Sequence, residues 1–276
     1  PYTTLFRSLQ QQLVEIGYQG KKLEELEGLS AVEKTNMLFI VQDPYTSYYD
    51  AKVIRDFVAL TQKLGFDPIL LPFKPNGKAM HIKGFLARFS KTAKTQAEFL
   101  NRVAKLNVPL VGVDPAIVLS YRDEYKEALG DSRGDFHVLT AHEWLTNQLE
   151  SNALQSAVKN IAKSDRTFEW HLFPHCTEST FMPNSPKEWQ HIFAQFGQTL
   201  KVEKVGCCGM AGVFGHEVQN QTMSKDIYDV SWGKKLQGKD PNHCLATGYS
   251  CRSQVKRYEK AILKHPVQAL LEVLNH

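Results

Sequence analysis

Short, continuous apolar segments alternate with amphipathic segments along most of the chain, and this alternation constrains the fold more than any other feature. The run Met37-Leu38-Phe39-Ile40-Val41 is apolar at every position, as in a strand that is buried on both faces of a sheet. Apolar residues at helical spacing follow it over 49–64, and a second apolar run occupies 68–72. This alternation predicts an α/β fold built on mostly parallel sheets.

The same order of elements occurs twice along the chain. Predicted strands lie at 37–41, 68–72 and 108–113 in the first half and at 168–173, 200–205 and 244–247 in the second. The loops that follow these strands also align, with Tyr45 opposite Cys176, Lys78 opposite Cys208 and Pro115 opposite Cys251. Such self-similarity indicates an internal repeat. We therefore expect two tandem repeats, each a mostly parallel sheet flanked by helices.

The repeat divides the chain into four predicted regions. These are a helical lead-in over 1–35, a first repeat without cysteines over 36–140, a helical linker over 141–165 and a second, cysteine-bearing repeat over 166–276. Apolar residues at Leu5, Leu9, Leu13 and Ile16 predict a lead-in helix that packs on a neighbouring element. The sequence begins at Pro1 without an initiator methionine, which favours a fragment of a longer protein.

Further helices are predicted between the strands. They cover 95–106, 115–125, 186–196 and 224–236 in addition to 49–64. Ser224 is the predicted N-cap of the helix over 224–236, because a serine hydroxyl can accept a hydrogen bond from a first-turn amide. Cys251 is expected at the start of the last long helix.

All five cysteines lie between positions 176 and 251, and two of them form the run Gly206-Cys207-Cys208-Gly209. Cys176, this run and Cys251 each follow a predicted strand, and parallel strands bring such loops to one edge of the sheet. Two adjacent cysteines between glycines cannot both point into an apolar core. The pattern predicts a soft-metal site, an iron–sulfur cluster or a redox thiol pair.

The neighbouring cysteine and histidines are assigned differently. Cys244 lies on a predicted strand, and we expect it to be a core residue because isolated cysteines are usually buried. His175 and His216 adjoin the cysteine loops and are candidate auxiliary ligands or proton carriers, since imidazole binds zinc and iron alike. His171 is expected to be a surface or hydrogen-bonded histidine.

Composition and charge exclude several classes of protein. Of the 276 residues, 42% are hydrophobic and 22% are charged, which is typical of a globular protein. The net charge of +4 is spread along the chain, so no nucleic-acid arm is expected, and no apolar run approaches the roughly 20 residues of a transmembrane helix. The odd number of cysteines and the missing signal peptide favour a cytoplasmic location. Arg122 and Arg252 follow corresponding loops of the two halves, where they could face an anionic ligand, but we expect them to form surface salt bridges.

The cysteine loops resemble a known family. Gly206-Cys207-Cys208-Gly209-Met210-Ala211-Gly212, with Cys176 before it and Gly248-Tyr249-Ser250-Cys251 after it, is similar to the cysteine-rich CCG domain. This domain occurs, usually in two copies, in heterodisulfide reductase, glycolate oxidase and anaerobic glycerol-3-phosphate dehydrogenase subunits. The stretches 114–125 and 246–254 resemble one branch, the C-terminal part of large FAD-linked oxidases that act on D-lactate or D-2-hydroxyglutarate.

The resemblance implies a function. It implies a redox module of an FAD- and iron–sulfur-dependent oxidoreductase, with upstream FAD and ferredoxin-like domains that are its partners in the parent chain. FAD is expected only in that upstream part, so this chain is not expected to be active alone. The parent is expected in the cytoplasm or peripherally at the inner face of the membrane. The alternative is a structural zinc-binding or docking module with no electron-transfer role.

Two departures from the family pattern limit the predicted site. The family usually ends in Cys-x-x-Cys, whereas position 248 here is Gly. The first repeat has no cysteine, so it should bind no cluster. The resemblance thus leaves four candidate ligands for one cluster or zinc ion, which are Cys176, Cys207, Cys208 and Cys251.

Overall fold

Two parallel sheets form the centre of the structure. The structure is a computed structural model that describes residues 8–151, 153–154 and 167–275. Sheet A contains β1 (Met37–Ile40), β2 (Asp67–Leu70), β3 (Leu110–Gly112) and β4 (Val138–Thr140), and sheet B contains β5 (Glu169–Phe173), β6 (Thr199–Val202) and β7 (Cys244–Ala246). Every strand pairing in both sheets is parallel. The predicted α/β fold is therefore confirmed.

Helices lie between and around the strands. Those before and within sheet A are α1 (Leu9–Glu15), α2 (Leu23–Leu26), α3 (Ala31–Lys34), α4 (Ala51–Lys63), α5 (Lys78–Ile82), α6 (Leu86–Ala104), α7 (Pro115–Arg122), α8 (Glu124–Leu129) and α9 (Ala141–Glu150). Those of the second half are α10 (Cys176–Phe181), α11 (Ser185–Gln195), α12 (Gln221–Tyr228), α13 (Lys234–Leu236), α14 (Tyr249–Tyr258) and α15 (Pro266–Asn275).

The two sheets share one strand order. Sheet A runs β2-β1-β3-β4 and sheet B runs β6-β5-β7, so the first strand of each half lies between the second and the third. This common order is the structural form of the predicted repeat. One apolar core contains buried residues from both sheets, including Leu38 and Val111 from sheet A and Trp170 and Leu245 from sheet B. Because both halves contribute to this core, the core does not mark where one predicted region ends and the next begins. The four region boundaries therefore stay predictions.

Packing in the lead-in follows the predicted apolar stripe. Leu9 and Leu13 of α1 are buried in the shared core, and the hydroxyl of Ser8 caps this helix. The first half of the predicted linker forms α9, whose Trp144 contacts Phe57 and Phe66 edge-on at centroid distances of 6.1 and 4.9 Å. Leu5 and most of the linker after α9 lie outside the described residues.

Several predicted elements are wrong in their extent. The helix predicted over 95–106 is α6, which begins nine residues earlier at Leu86, and the helix predicted over 115–125 breaks at Asp123. The sequence pattern missed β4, which has only three residues. The helix that carries Cys251 is followed by α15, which packs on α4 and closes the shared core.

Arg252 does not form the surface salt bridge that the sequence predicts. Its side chain is only 5% exposed, and its Nε donates to Asp50 Oδ2 at 2.9 Å. Its Nη1 donates to the carbonyl oxygens of Ala246 and Thr247 at the end of β7. Arg122 likewise forms an ion pair, with Glu143, that is largely buried. Arg252 therefore ties the end of sheet B to the first half of the chain.

We expect Arg252→Met to lower the free energy of unfolding by about 3 kcal/mol, because the change leaves two carbonyl oxygens and the partly buried carboxylate of Asp50 without their buried donor. Urea unfolding followed by circular dichroism measures this loss. The matched control is Lys201→Met, which removes the partner of Glu169 in an ion pair that is about half exposed on both sides. That control should change stability by less than about 1 kcal/mol. Equal losses of stability in the two variants would show that the ion pair of Arg252 contributes no more to the free energy of unfolding than an exposed ion pair does.

Candidate functional site

The candidate site lies at the carboxyl ends of the strands of sheet B. Cys176 is the first residue of α10, three residues after β5 ends at Phe173. Cys207 and Cys208 lie in the loop after β6, and Cys251 lies in the first turn of α14 after β7. Because the three strands are parallel neighbours, the three loops emerge at one edge of the sheet, as the sequence predicts.

The side chains of the four predicted cysteines meet at this edge. The thiol of Cys207 interacts with the thiols of Cys176 and Cys208, and the thiol of Cys208 interacts with that of Cys251. Cys208 and Cys251 are buried, whereas Cys176 and Cys207 are partly exposed. All four are free thiols. Three separate loops thus bring together the four cysteines that the sequence singles out.

The interactions between the thiols lower the pKa of Cys207 and raise the pKa values of Cys176 and Cys208. Hydrogen bonds from Cys176 and Cys208 hold the pKa of the Cys207 thiol far below its ordinary value, and the backbone N–H groups of Gly209 and Ala211 add to this. The hydrogen bond to Cys207 and burial raise the pKa values of Cys176 and Cys208. These interactions favour the thiolate form of Cys207 over that of its neighbours, and thiolates are the form of cysteine that binds soft metals.

Two buried polar side chains hold the loop that follows Cys208. Gln254 Nε2 donates to the carbonyl oxygen of Cys208 at 3.0 Å, and the Ser224 hydroxyl donates to the carbonyl oxygen of Gly209 at 2.8 Å. Gln254 also donates to Ser224 at 2.8 Å, so the two side chains form one unit. The prediction that Ser224 caps a helix is wrong, because α12 begins at Gln221 and Ser224 lies inside it. Its hydroxyl serves the cysteine loop instead.

His175 is buried beside the thiols, but it acts as a helix cap. Its Nδ1 accepts a hydrogen bond from the N–H of Thr177 at 3.2 Å, at the start of α10. Its ring fills the space next to Gly248, where an added Cβ would overlap ring carbon atoms. The absence of a side chain at position 248 thus makes room for His175, and a role of His175 as a ligand stays a prediction.

Gly248→Ala is expected to destabilise the protein by about 2 kcal/mol, because the new methyl group must displace the His175 ring. Thermal unfolding measures the change. Combining it with His175→Ala should remove the overlap, so the double variant should lose less stability than the two single changes together. Additive losses would contradict the contact between these two residues.

The other singled-out residues lie apart from the thiol contacts or in the core. His216 is exposed, and its Nδ1 lies 3.2 Å from Arg257 Nη2. Partial burial and the charge of Arg257 lower the pKa of His216. His171 Nδ1 lies 2.8 Å from Glu203 Oε1, as expected of a hydrogen-bonded histidine. Cys244 is fully buried in β7, as predicted, and burial raises the pKa of its thiol to about 11.

The donor chemistry fits a soft metal or an iron–sulfur cluster, although the thiols are packed against one another. Four sulfur atoms from three loops match the Cys₄ sets of zinc sites and clusters. Among the described residues, no group of three or more His, Cys, Asp or Glu side chains is arranged around a common point for a metal ion. Binding of a metal ion by Cys176, Cys207, Cys208 and Cys251 would therefore require their side chains to move from the positions that they have here.

A buried carboxylate beside the site was missed by the sequence reasoning. Glu178 is only 1% exposed and accepts hydrogen bonds from the hydroxyls of Ser185 and Thr247. Thr247 in turn accepts from the backbone N–H of His175 at 2.9 Å. The signal was the spacing of Glu178 three residues after the helix cap, which is that of a capping box. Glu178 therefore joins the ends of β5 and β7 behind the thiols.

A cavity lies between the two halves and was not predicted. It has a volume of about 270 Å³ and is lined from both carboxyl edges, by loops after β1, β2 and β3 and by loops after β5, β6 and β7. Tyr45 and Lys78, which align with Cys176 and Cys208, form part of its first-half wall, and Ala116 lies next to the aligned position 115. The degenerate first repeat thus faces the cysteine loops across this cavity.

In the described part of the chain, none of the helices combines the length and apolar character needed to cross a bilayer. No protein-family model matches the chain.

The known proteins with high sequence identity to this chain share one name. Over 268 residues, or 97% of its length, the chain is 83% identical to a D-2-hydroxyglutarate dehydrogenase of Haemophilus influenzae and 56% identical to one of Escherichia coli K12. It spans about a quarter, 26%, of the length of these relatives. A more distant similarity, 21% over 234 residues, links 83% of the chain with 57% of one of the subunits of the anaerobic glycerol-3-phosphate dehydrogenase of Escherichia coli. Over nearly its whole length the chain is therefore homologous to one segment of the D-2-hydroxyglutarate dehydrogenases, and its resemblance to this group of oxidoreductases is confirmed.

Proposed function

We propose that the chain is the electron-transfer module of a larger FAD- and iron–sulfur-dependent oxidoreductase that oxidises a D-2-hydroxyacid. The observation that carries this proposal is the contact of four thiols from three loops at one sheet edge. The names of the similar proteins supply the class of reaction, D-2-hydroxyglutarate dehydrogenation. Because the chain spans about a quarter of their length, the FAD and ferredoxin-like domains are assigned to the remainder.

In this proposal, Cys176, Cys207, Cys208 and Cys251 hold an iron–sulfur cluster, which would accept and donate single electrons. The residues of the chain hold the loops in place. Ser224 and Gln254 bind the backbone after Cys208, and Glu178 joins the ends of two strands. The cytoplasm is the proposed location, because free thiols and labile clusters persist in a reducing compartment.

Rapid mixing of the intact parent protein with D-2-hydroxyglutarate tests this proposal. In a variant with Cys207 and Cys208 both replaced by Ser, flavin reduction should proceed as in the natural protein. Reoxidation of the flavin by an external electron acceptor should slow by at least tenfold. Unchanged reoxidation in a folded variant would exclude the electron-transfer role.

Zinc is the alternative occupant, and it would make the module structural. Four thiolates also satisfy tetrahedral zinc. A colourless protein with one zinc per chain, free of acid-labile sulfide and with normal electron transfer in the double serine variant, would establish this alternative.

A further inference from the structure

Helix α14, which carries Cys251, begins without a cap from its own segment. Its N-cap residue is Gly248, which has no side chain that could accept a hydrogen bond from the first turn. The first N–H groups of a helix have no partner within the helix, so they need acceptors from elsewhere. Cys251 is the third residue of α14 and is only 1% exposed. The position of its thiol therefore depends on what holds this turn.

The acceptor for the first turn of α14 comes from the other half of the chain. Asp114 Oδ2 accepts a hydrogen bond from the backbone N–H of Tyr249, the first residue of α14, at 2.9 Å. Asp114 Oδ1 accepts from the N–H groups of Ala116 and Ile117, at 3.0 and 3.3 Å, at the start of α7. One carboxylate therefore caps two helices, one in each half.

The cap is held in place between the halves. Asp114 is only 3% exposed and lies two residues after β3 ends at Gly112. The ring of Tyr45, from the loop after β1, stacks on the ring of Tyr249 with centroids 5.1 Å apart and planes 9° from parallel. Two loops of the first half thus contact the first residue of α14. A negative charge at this end of a helix also interacts favourably with the helix dipole.

Neighbouring carboxylates accept hydrogen bonds from other groups. Burial and the charge of Asp114 raise the pKa of Asp43 to about 6, so the two carboxyl groups lie close together. Asp43 accepts from the N–H groups of Tyr45 and Thr46 in its own loop. The carboxylate of Asp50 accepts from Nε of Arg252, the residue after Cys251. Both are occupied, and the first N–H of α14 is bound by Asp114.

We infer that Asp114 is a positioning residue for the cysteine site, because by capping α14 across the two halves it fixes the thiol of Cys251 at the sheet edge. The inference rests on the proposed function and gives the cysteine-free half a part in it. The thiol of Cys251 interacts with that of Cys208, so unwinding of the first turn would move one of the four thiols away from the others. Cys244 would keep its place, since β7 is paired with β5.

Alkylation of individual cysteines in the parent protein tests this inference. Asp114→Asn keeps the shape of the side chain but has one acceptor oxygen, which should stay with the two N–H groups of α7. Its amide N–H groups then face the N–H of Tyr249, and the cap of α14 is lost. Iodoacetamide is added after a chelator has removed bound metal, and mass spectrometry follows each cysteine. Cys251 should react at least tenfold faster than in the natural protein, and Cys244 at an unchanged rate.

A second variant and a control accompany this measurement. Asp114→Ser should give the same pattern, because a serine hydroxyl caps α7 but is too short to reach α14 as well. Asp240→Asn is the control, since Asp240 accepts from the N–H of Asn242 at 3.0 Å but is about half exposed. It should change neither rate. Equal acceleration of Cys244 and Cys251 in the two Asp114 variants, or acceleration of neither, would overturn the inference.

The outcomes also separate the inference from the proposed function. Because alkylation is measured on the metal-free protein, its result does not depend on whether the site holds iron. Natural protein without iron, combined with faster alkylation of Cys251 alone in Asp114→Asn, would overturn the proposed function and keep the positioning role. Natural protein with iron and sulfide, combined with unchanged alkylation in both variants, would keep the proposed function and overturn the positioning role.

Discussion

Replacing Cys207 with serine is expected to remove most of the iron from anaerobically prepared protein, to below about a fifth of the natural content. Cys207 interacts with both Cys176 and Cys208, and these interactions lower the pKa of its thiol. A serine hydroxyl is a harder and far less acidic ligand, so it cannot replace that thiolate toward a soft metal. Iron and acid-labile sulfide per chain measure the loss, and circular dichroism checks that the variant is folded.

Cys244→Ser is the matched control for this prediction. Cys244 lies in the same half of the chain but is fully buried within β7. The change should retain iron while lowering stability by about 1–2 kcal/mol, because it buries a hydroxyl group in an apolar core. The assignment of the ligands would be wrong if the Cys207→Ser protein kept its iron, or if the Cys244→Ser protein lost its iron while remaining folded.

Gly209→Ala is expected to lower the free energy of unfolding by about 3 kcal/mol. Gly209 has a φ of 82°, a conformation that costs a residue with a side chain about 1–2 kcal/mol. An added Cβ would also overlap the backbone carbonyl of Ser224, which cannot move without shifting α12. Because the same turn carries Cys207 and Cys208, the variant should bind iron poorly as well.

Gly197→Ala separates the two contributions to this effect. Gly197 has a φ of 68°, but an added Cβ would meet no atom within 4 Å. Its replacement should therefore cost only the conformational energy, about 1 kcal/mol. Urea unfolding of both variants gives the difference. Equal losses would mean that the contact between Gly209 and Ser224 does not constrain the cysteine loop.

The parts of the fold that the sequence predicts are those with a local signal. Continuous apolar runs such as 37–41 identify strands, because a parallel strand is buried on both faces. The cysteine loops follow these strands, so their convergence could be predicted from topology alone. By contrast, β4 is a three-residue strand whose pairing with β3 depends on residues nearly 30 positions away. Nothing in its own sequence marks it as a strand.

The errors in the site have a similar cause. Ser224 has the residue type of a helix cap, but its hydroxyl is directed to Gly209 by a tertiary contact across 15 residues. Arg252 looks like a surface residue, yet Asp50, 202 positions earlier, brings it into the interior. The cavity is formed by loops from both halves, so no single segment contains its pattern. Each of these features depends on how distant segments meet.

The content of iron and acid-labile sulfide in the natural protein, prepared without oxygen, tests the central claim most directly. The claim is that Cys176, Cys207, Cys208 and Cys251 form one redox centre. The account predicts a brown protein in which iron and sulfide are present in comparable amounts and disappear together in Cys207→Ser. A colourless protein with one equivalent of zinc, or with no metal, and with full electron transfer in the parent would contradict it.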